Sequence, residues 1–176
     1  HFRPVPLYEM IVCENQVHLE TGTHMSNWSK PEIPAECYTC ISSHERQSRP
    51  LIYTAIETVA SGHSVLAFCA TKPETKNLAE VIARNIGLIM SGKSPQLSSS
   101  LANVSQILEP VKEKAESLKK NLKKFQPDQV LLKAISYGVA YHNAGMPTEE
   151  RKIIEYGFRE GIIRILCATT TLSAGK

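Results

Sequence analysis

The chain has 176 residues, of which 42% are hydrophobic and 21% charged, enough for one hydrophobic core and, by length, one domain. A formal net charge of +3 is too mild to argue a nucleic-acid partner from bulk electrostatics, so such a role needs a local cluster. No stretch approaches the ~18 consecutive apolar residues of a membrane span, and five cysteines without a disulfide framework point to a reducing compartment.

The opening His1-Phe-Arg-Pro has no initiator Met, charged n-region or apolar h-region, so no signal peptide is read there. It suggests a piece of something longer. The prolines of Arg3-Pro-Val-Pro force an extended backbone. Residues 7–12 and 16–19 can pair as a hairpin across Glu14-Asn15. Residues 21–36, with Gly22, Pro31 and Pro34, read as loop. Cys37, Cys40 and His44 have half the spacing of a zinc site. No second Cys/His pair follows at a finger-like distance, and zinc wants four ligands, so incidental thiols are the reading and no metal is assigned.

Apolar positions 51, 52, 55, 56, 59 and 60 fall at helical spacing and close on Ser61-Gly62. Residues 65–70 form a short buried strand, and a helix from Pro73 carries Leu78, Val81, Ile82 and Ile86 on one stripe to Gly87. Residues 87–94 match the phosphate-binding pattern G-x-x-x-x-G-K-[ST] letter for letter. A working loop of that kind follows a strand and opens a helix. Here the glycines follow a helix, and Pro95 with a Gln/Ser run replaces the apolar helix. The stretch reads as a flexible Ser/Gly loop.

Glu109-Pro110 marks the next helix start, with Val111, Ala115, Leu118, Leu122 and Phe125 on one side. Six lysines between 112 and 124 occupy the rest. A solvated face with a Glu116–Lys120 pair is favoured over a phosphate-facing patch, because no aromatic is interleaved for base stacking. A short helix over 128–135 leads to Gly138 and a strand. Pro147, Glu149 and Glu150 open a helix ending at Arg159 and Gly161. Residues 162–168 hold one charge among seven, as a strand buried on both faces does. Strand, helix, strand with short connections makes a parallel crossover.

Three strands thus end in loops of one character: 70–72, 142–145 and 169–175. Ligands of open α/β sheets bind at the carboxyl ends of the strands. Small residues there let a backbone approach phosphate, while hydroxyl and N–H groups donate to it without reading sequence.

The segments His142-Asn-Ala-Gly-Met-Pro-Thr-Glu-Glu-Arg151 and Ala168-Thr-Thr-Thr-Leu-Ser-Ala-Gly175 resemble the second motor domain of superfamily-2 helicases, in the DNA polymerase theta-like branch. Phe2 to Leu7 and Ser64 to Cys69 agree with it. The resemblance implies an α/β, RecA-like open parallel sheet flanked by helices, incomplete at its C-terminal end. Residues 1–48 would then be an entrance or linker segment and 49–176 a partial second RecA-like domain. It places Thr71, His142, Ala144, Gly145, Thr169 and Thr171 on single-stranded DNA, and Gly175 toward the ATP cleft. Asn143 stands where the family usually has a second histidine.

The intact enzyme implied is an ATP-dependent DNA helicase with Mg2+, a first RecA-like domain in cis, nuclear location, a repair role and no membrane. The phosphate loop, metal-binding acidic motif and arginine fingers that phosphoryl transfer requires belong to parts not represented here. No catalytic residue is therefore assigned, and 1–176 alone is expected to be inactive. The alternatives are a non-catalytic nucleic-acid or protein interaction module on a RecA-like remnant, and a self-contained nucleotide enzyme using the glycines of 87–94. Because 176 is the last residue, the strand over 162–168 is expected to keep one side unpaired and to favour self-association.

Overall fold

The computed structural model describes residues 10–13, 16–19, 27–28, 49–92 and 99–169. The chain divides into two compact units, 1–51 and 52–176. In the first, β1 (Met10–Cys13), β2 (Gln16–Leu19) and β3 (Asn27–Trp28) form an antiparallel sheet in that order. Cys13 pairs with Gln16, giving the two-residue connection expected between the hairpin strands. Val17 faces Trp28, so a third strand lies inside the stretch read as loop. Two residues are too few to show a period. The Cys37, Cys40 and His44 cluster lies outside the described residues.

The second unit begins within α1 (Arg49–Ala60), whose buried residues Ile52, Ile56 and Val59 recur at helical spacing. Gly62 stops it with φ +88, a left-handed conformation that suits glycine. β4 (Val65–Cys69) leads into α2 (Lys72–Met90). Helix α2 runs through Gly87 rather than ending there. A Cβ on Gly87 would lie 3.0 Å from the Tyr137 ring carbon Cζ, so the residue is small to admit that ring. A glycine in a helix interior cannot form a phosphate-binding loop, and this removes the nucleotide reading of 87–94.

Helix α3 (Ser99–Leu108) begins inside the serine run that follows Pro95 and continues over residues to which the sequence reading assigned no element. It passes through a 3-10 turn at Glu109–Val111 into α4 (Lys112–Lys123), so Pro110 sits inside a continuing connection rather than at a fresh start. Val104 and Leu108 are buried, and packing outweighs the serine-rich composition. Asp128 caps α5 (Gln129–Ile135), its Oδ1 accepting the Val130 N–H at 2.9 Å. β5 (Val139–His142), α6 (Thr148–Arg159) and β6 (Ile165–Thr169) follow.

The three strands β4, β6 and β5 form a parallel sheet in that order. With helices packed along it, this is the mixed α/β, open-sheet, RecA-like arrangement expected. One expectation fails here. β6 is central and buried at all five positions, so the apolar run at 162–168 has no open side. The crossover through α6 returns β6 between its two neighbours. Within this sheet the exposed large apolar residues lie on β4, where Leu66 and Phe68 are 38% and 52% accessible.

Register lines up Leu66, Leu166 and Ala140 in one row and, two residues on, Phe68, Ala168 and His142 in another. Helix α2 packs against all three strands and α5, and α6 packs against β5 and α4. Buried Ile82, Ile86, Leu131, Ile154 and Leu166 form the centre. Full burial of each such side chain stabilises by about 1.5–3 kcal/mol.

Candidate nucleic-acid interface

The register sets the site. Cys69 pairs with Thr169 and His142 with Ala168, so all three strands finish level and their loops leave from one edge. The seven candidate positions fall on two strand ends, two described loops and one undescribed stretch. Thr71 lies after β4, His142 to Gly145 at and after β5, and Thr169 at the end of β6. Thr171 and Gly175 lie outside the described residues.

Thr71 caps α2. Its Oγ1 accepts the Glu74 N–H at 3.4 Å, while Glu74 Oε2 accepts the N–H groups of Ala70 and Thr71 at 3.1 and 3.2 Å. This is a reciprocal capping box. A threonine hydroxyl also carries one donor proton, and here Thr71 is exposed and can direct it outward. The cap and the candidate contact therefore use different parts of one group.

His142 is placed otherwise. It is buried, and its Nε2 lies 2.9 Å from Glu155 Oε1 on α6, so the ring faces that helix. Its Nδ1 has no hydrogen-bond partner. Ala144 and Gly145 are exposed at the edge, and Thr169 is buried at the base of the third loop. The structure thus brings together the hydroxyl of Thr71 and the small residues 144–145, and turns the imidazole away.

Asn143, noted in the sequence only as a departure from the family's histidine, builds the second loop together with Thr75 and Lys72 of α2, which the sequence did not single out. Asn143 is buried and accepts the Gly145 N–H on Oδ1 at 3.0 Å, while its own carbonyl accepts the Met146 N–H at 3.1 Å. Its Nδ2 donates to Thr75 Oγ1 on α2 at 3.1 Å. A Cβ on Gly145 would sit 3.1 Å from Asn143 Oδ1 and 3.5 Å from Lys72 Cδ, so the Lys72 stem crosses this glycine closely. The Asn-x-Gly spacing was the available signal, since asparagine side chains fold back onto a backbone two residues on.

Electrostatics around the edge are set mainly by burial. Burial pushes the Cys69 thiol up, reinforced by Glu74, and burial pushes Cys167 up, reinforced by Cys69. Both stay protonated and pack as small apolar groups. Burial, then the nearby Asp128 carboxylate, raises Tyr141. Asp128 itself is held below the usual carboxylate range, chiefly by its bond from Lys76 and then by the Val130 N–H and the Tyr141 hydroxyl. Lys76, Asp128 and Tyr141 thus tie α2, α5 and β5 together just below the loops.

The lysines of α4 lie elsewhere. Lys112 pairs with Glu109 at 3.2 Å, and Lys119, rather than Lys120, takes Glu116 at 2.8 Å. Lys119 also donates to Ser136 at 2.7 Å. Leu118 packs where a Cβ on Gly157 would meet it at 2.7 Å, near the far end of α6 from the candidate loops. The basic face is therefore removed from the edge and reads as solvated. Among the described residues, no group of three or more His, Cys, Asp or Glu side chains could hold a metal, and no helix is long and apolar enough to cross a membrane.

No protein-family model matches the chain. Mouse DNA polymerase theta is 32% identical over 99% of the chain, Drosophila melanogaster "Helicase POLQ-like" 31% over 99%, and the "ATP-dependent DNA helicase Hel308" of Pyrobaculum calidifontis 32% over 99%. The chain spans 6%, 15% and 20% of the length of these three proteins respectively. Similarity along almost the whole chain, together with the parallel sheet and its edge loops, places it with the superfamily-2 DNA helicases of the polymerase theta and Hel308 type.

Proposed function

We propose that the chain is the second RecA-like motor unit of an ATP-dependent DNA helicase, with 49–176 as the motor segment and 1–48 as the segment leading from the first RecA-like domain. The observation that carries this reading is the level edge of three parallel strands, with Thr71, Ala144, Gly145 and Thr169 at or beside it. Such an edge can hold a single strand by its phosphates without reading bases. His142 then supports the loop from below through Glu155 rather than touching DNA. Thr171 and Gly175 complete the reading as a backbone contact and a residue of the ATP cleft.

In the whole enzyme, ATP with Mg2+ would close the cleft between two such domains and its hydrolysis would release them, stepping the strand. The name of the Hel308 relatives specifies ATP dependence and DNA. A nuclear repair role for this protein follows from the polymerase theta likeness as part of the same proposal.

The first test is catalytic. Residues 1–176 alone should bind single-stranded DNA and show no DNA-stimulated ATP turnover, because the phosphate cradle comes from the partner domain and the arginine fingers from a motif outside this stretch. Turnover above buffer background would refute the division of labour.

A second test isolates Thr71. Thr71→Ala should lower stability by about 1 kcal/mol through loss of the cap. It should also weaken single-strand binding by about 1.5–3 kcal/mol, equally for every base sequence, through loss of a bond to a charged group. Thr71→Ser keeps both. Thermal melting and single-strand titration of the same proteins separate the effects; unchanged affinity in a folded Thr71→Ala chain would remove this residue from the site.

A second reading, a non-catalytic interaction module, is favoured by one observation, the exposure of Leu66 and Phe68 on β4. It predicts that Leu66 and Phe68, rather than Thr71, govern partner capture. Restored ATP turnover on joining this chain to a first motor domain would dismiss it.

A further inference from the structure

The two described loops of the edge come from distant parts of the chain, yet a directed run of hydrogen bonds joins them. The Gly145 N–H donates to Asn143 Oδ1 at 3.0 Å, Asn143 Nδ2 to Thr75 Oγ1 at 3.1 Å, and Thr75 Oγ1 to the Lys72 carbonyl at 2.7 Å. Each donor points the same way, from the exposed glycine of one loop to the first turn of α2. We propose that Asn143 is a positioning residue that locks the 143–146 loop to the start of α2, so that Gly145 and Thr71 meet a nucleic-acid backbone as one preformed surface. This rests on the reading that the edge carries such a backbone.

The chemistry at 143 is restrictive. Gly145 needs an acceptor and Thr75 needs a donor, because the Thr75 proton is already committed to the Lys72 carbonyl. Reversing the amide would set its NH2 against the Gly145 N–H, so the two partners fix its orientation. Asparagine supplies both functions from one planar group. Aspartate supplies only the acceptor, and alanine neither. Burial of Asn143 and Thr75 keeps water from replacing either bond, being 7% and 0% accessible respectively.

The lock also explains the close approach at Gly145. The loop lies tight enough that a Cβ there would be 3.1 Å from Asn143 Oδ1 and 3.6 Å from Lys72 Nζ. The Lys72 ammonium lies beside the exposed loop backbone, where it could meet a phosphate. Arranging donors before the ligand arrives reduces the ordering that binding must oppose. Asn143 and Thr75 are both too buried to touch DNA, so any effect they have on binding runs through the lock.

The test uses residues 1–176 as parent, Asn143→Ala, Asn143→Asp, Thr75→Val, Thr75→Ser and the double Asn143→Ala/Thr75→Val. Amide hydrogen exchange at Gly145 is read against Leu166 as an internal core reference, and affinity for an oligothymidylate strand is measured at one fixed salt concentration. Asn143→Ala should speed Gly145 exchange and weaken binding, each by about tenfold, with Leu166 protection retained. Asn143→Asp should keep Gly145 protected and still weaken binding, because only the link to Thr75 is cut. Thr75→Val should weaken binding as Asn143→Asp does, Thr75→Ser should match the parent, and the double variant should bind no worse than Asn143→Ala.

Parent-like exchange at Gly145 in Asn143→Ala overturns the lock. Parent-like affinity in Thr75→Val overturns its role in positioning the surface. A parent that fails to hold the oligothymidylate sinks the functional reading instead, and the exchange at Gly145 then decides the lock by itself.

Discussion

Leu166→Ala is expected to lower stability by roughly 2–5 kcal/mol, the range for deleting most of a fully buried aliphatic side chain and leaving a cavity. Total stabilities of about 5–15 kcal/mol make that a large fraction. Leu166 is 1% accessible and sits on the central strand, with Leu66 on one side and Ala140 on the other in the same row. Leu66 is the internal control, because it occupies that row on β4 and is 38% accessible. Leu66→Ala removes the same atoms from a site that water already reaches, so its loss should be well below that of Leu166→Ala. Urea unfolding of both variants measures the gradient across the sheet. Equal losses would contradict the order β4–β6–β5, since that order puts Leu166, and not Leu66, between two strands.

The same row shows what the sequence carried. The density of apolar residues over 162–168 is enough to identify a strand buried on both faces, and β6 is one. Its bounds are another matter. Ile162 and Ile163 are buried, but both donate their N–H groups to the Gly157 carbonyl at 2.9 Å and plug the end of α6 rather than extend the strand. Composition cannot divide such a run, because a helix-end plug and a strand are equally apolar. Strand order is less legible still. It depends on where the crossover lands, and the expectation of an open side for 162–168 came from chain position instead.

Helix α3 was obscured by serines, although Leu101, Val104 and Leu108 keep a helical spacing. The site divides in the same manner. Strand-to-loop positions located the edge, and Thr71-x-x-Glu74 is a capping signature readable from sequence alone. The bond from Asn143 to Thr75 spans 68 residues and has no local trace. His142 looked like part of the edge because it ends β5, but the alternation of side chains along a strand turns it toward α6.

Gly138→Ala tests the opposite end of the sheet. Gly138 links α5 to β5 at φ +70, in the left-handed region, where a side chain costs roughly 1–2 kcal/mol. Its carbonyl accepts the Arg164 and Ile165 N–H groups at 2.7 and 3.0 Å, so its backbone also sets where β6 begins. A Cβ here would lie 2.5 Å from Leu108 Cδ2, a contact that forces the leucine to move. Leu108 is buried, and driving it off its rotamer adds about 0.5–1.5 kcal/mol. The combined loss should be roughly 1.5–3.5 kcal/mol. Gly62 separates the two contributions, having φ +88 and nothing within 4 Å of its Cβ position. Gly62→Ala should therefore show the backbone effect alone. A Gly138→Ala/Leu108→Ala double variant should lose less than the sum of the two single changes, because the shortened side chain no longer meets the new methyl. Urea unfolding of these four proteins against the parent reads both comparisons. If Gly138→Ala loses no more than Gly62→Ala and the double variant is additive, Leu108 yields freely, and the foot of β5 is packed more loosely than the 2.5 Å approach requires.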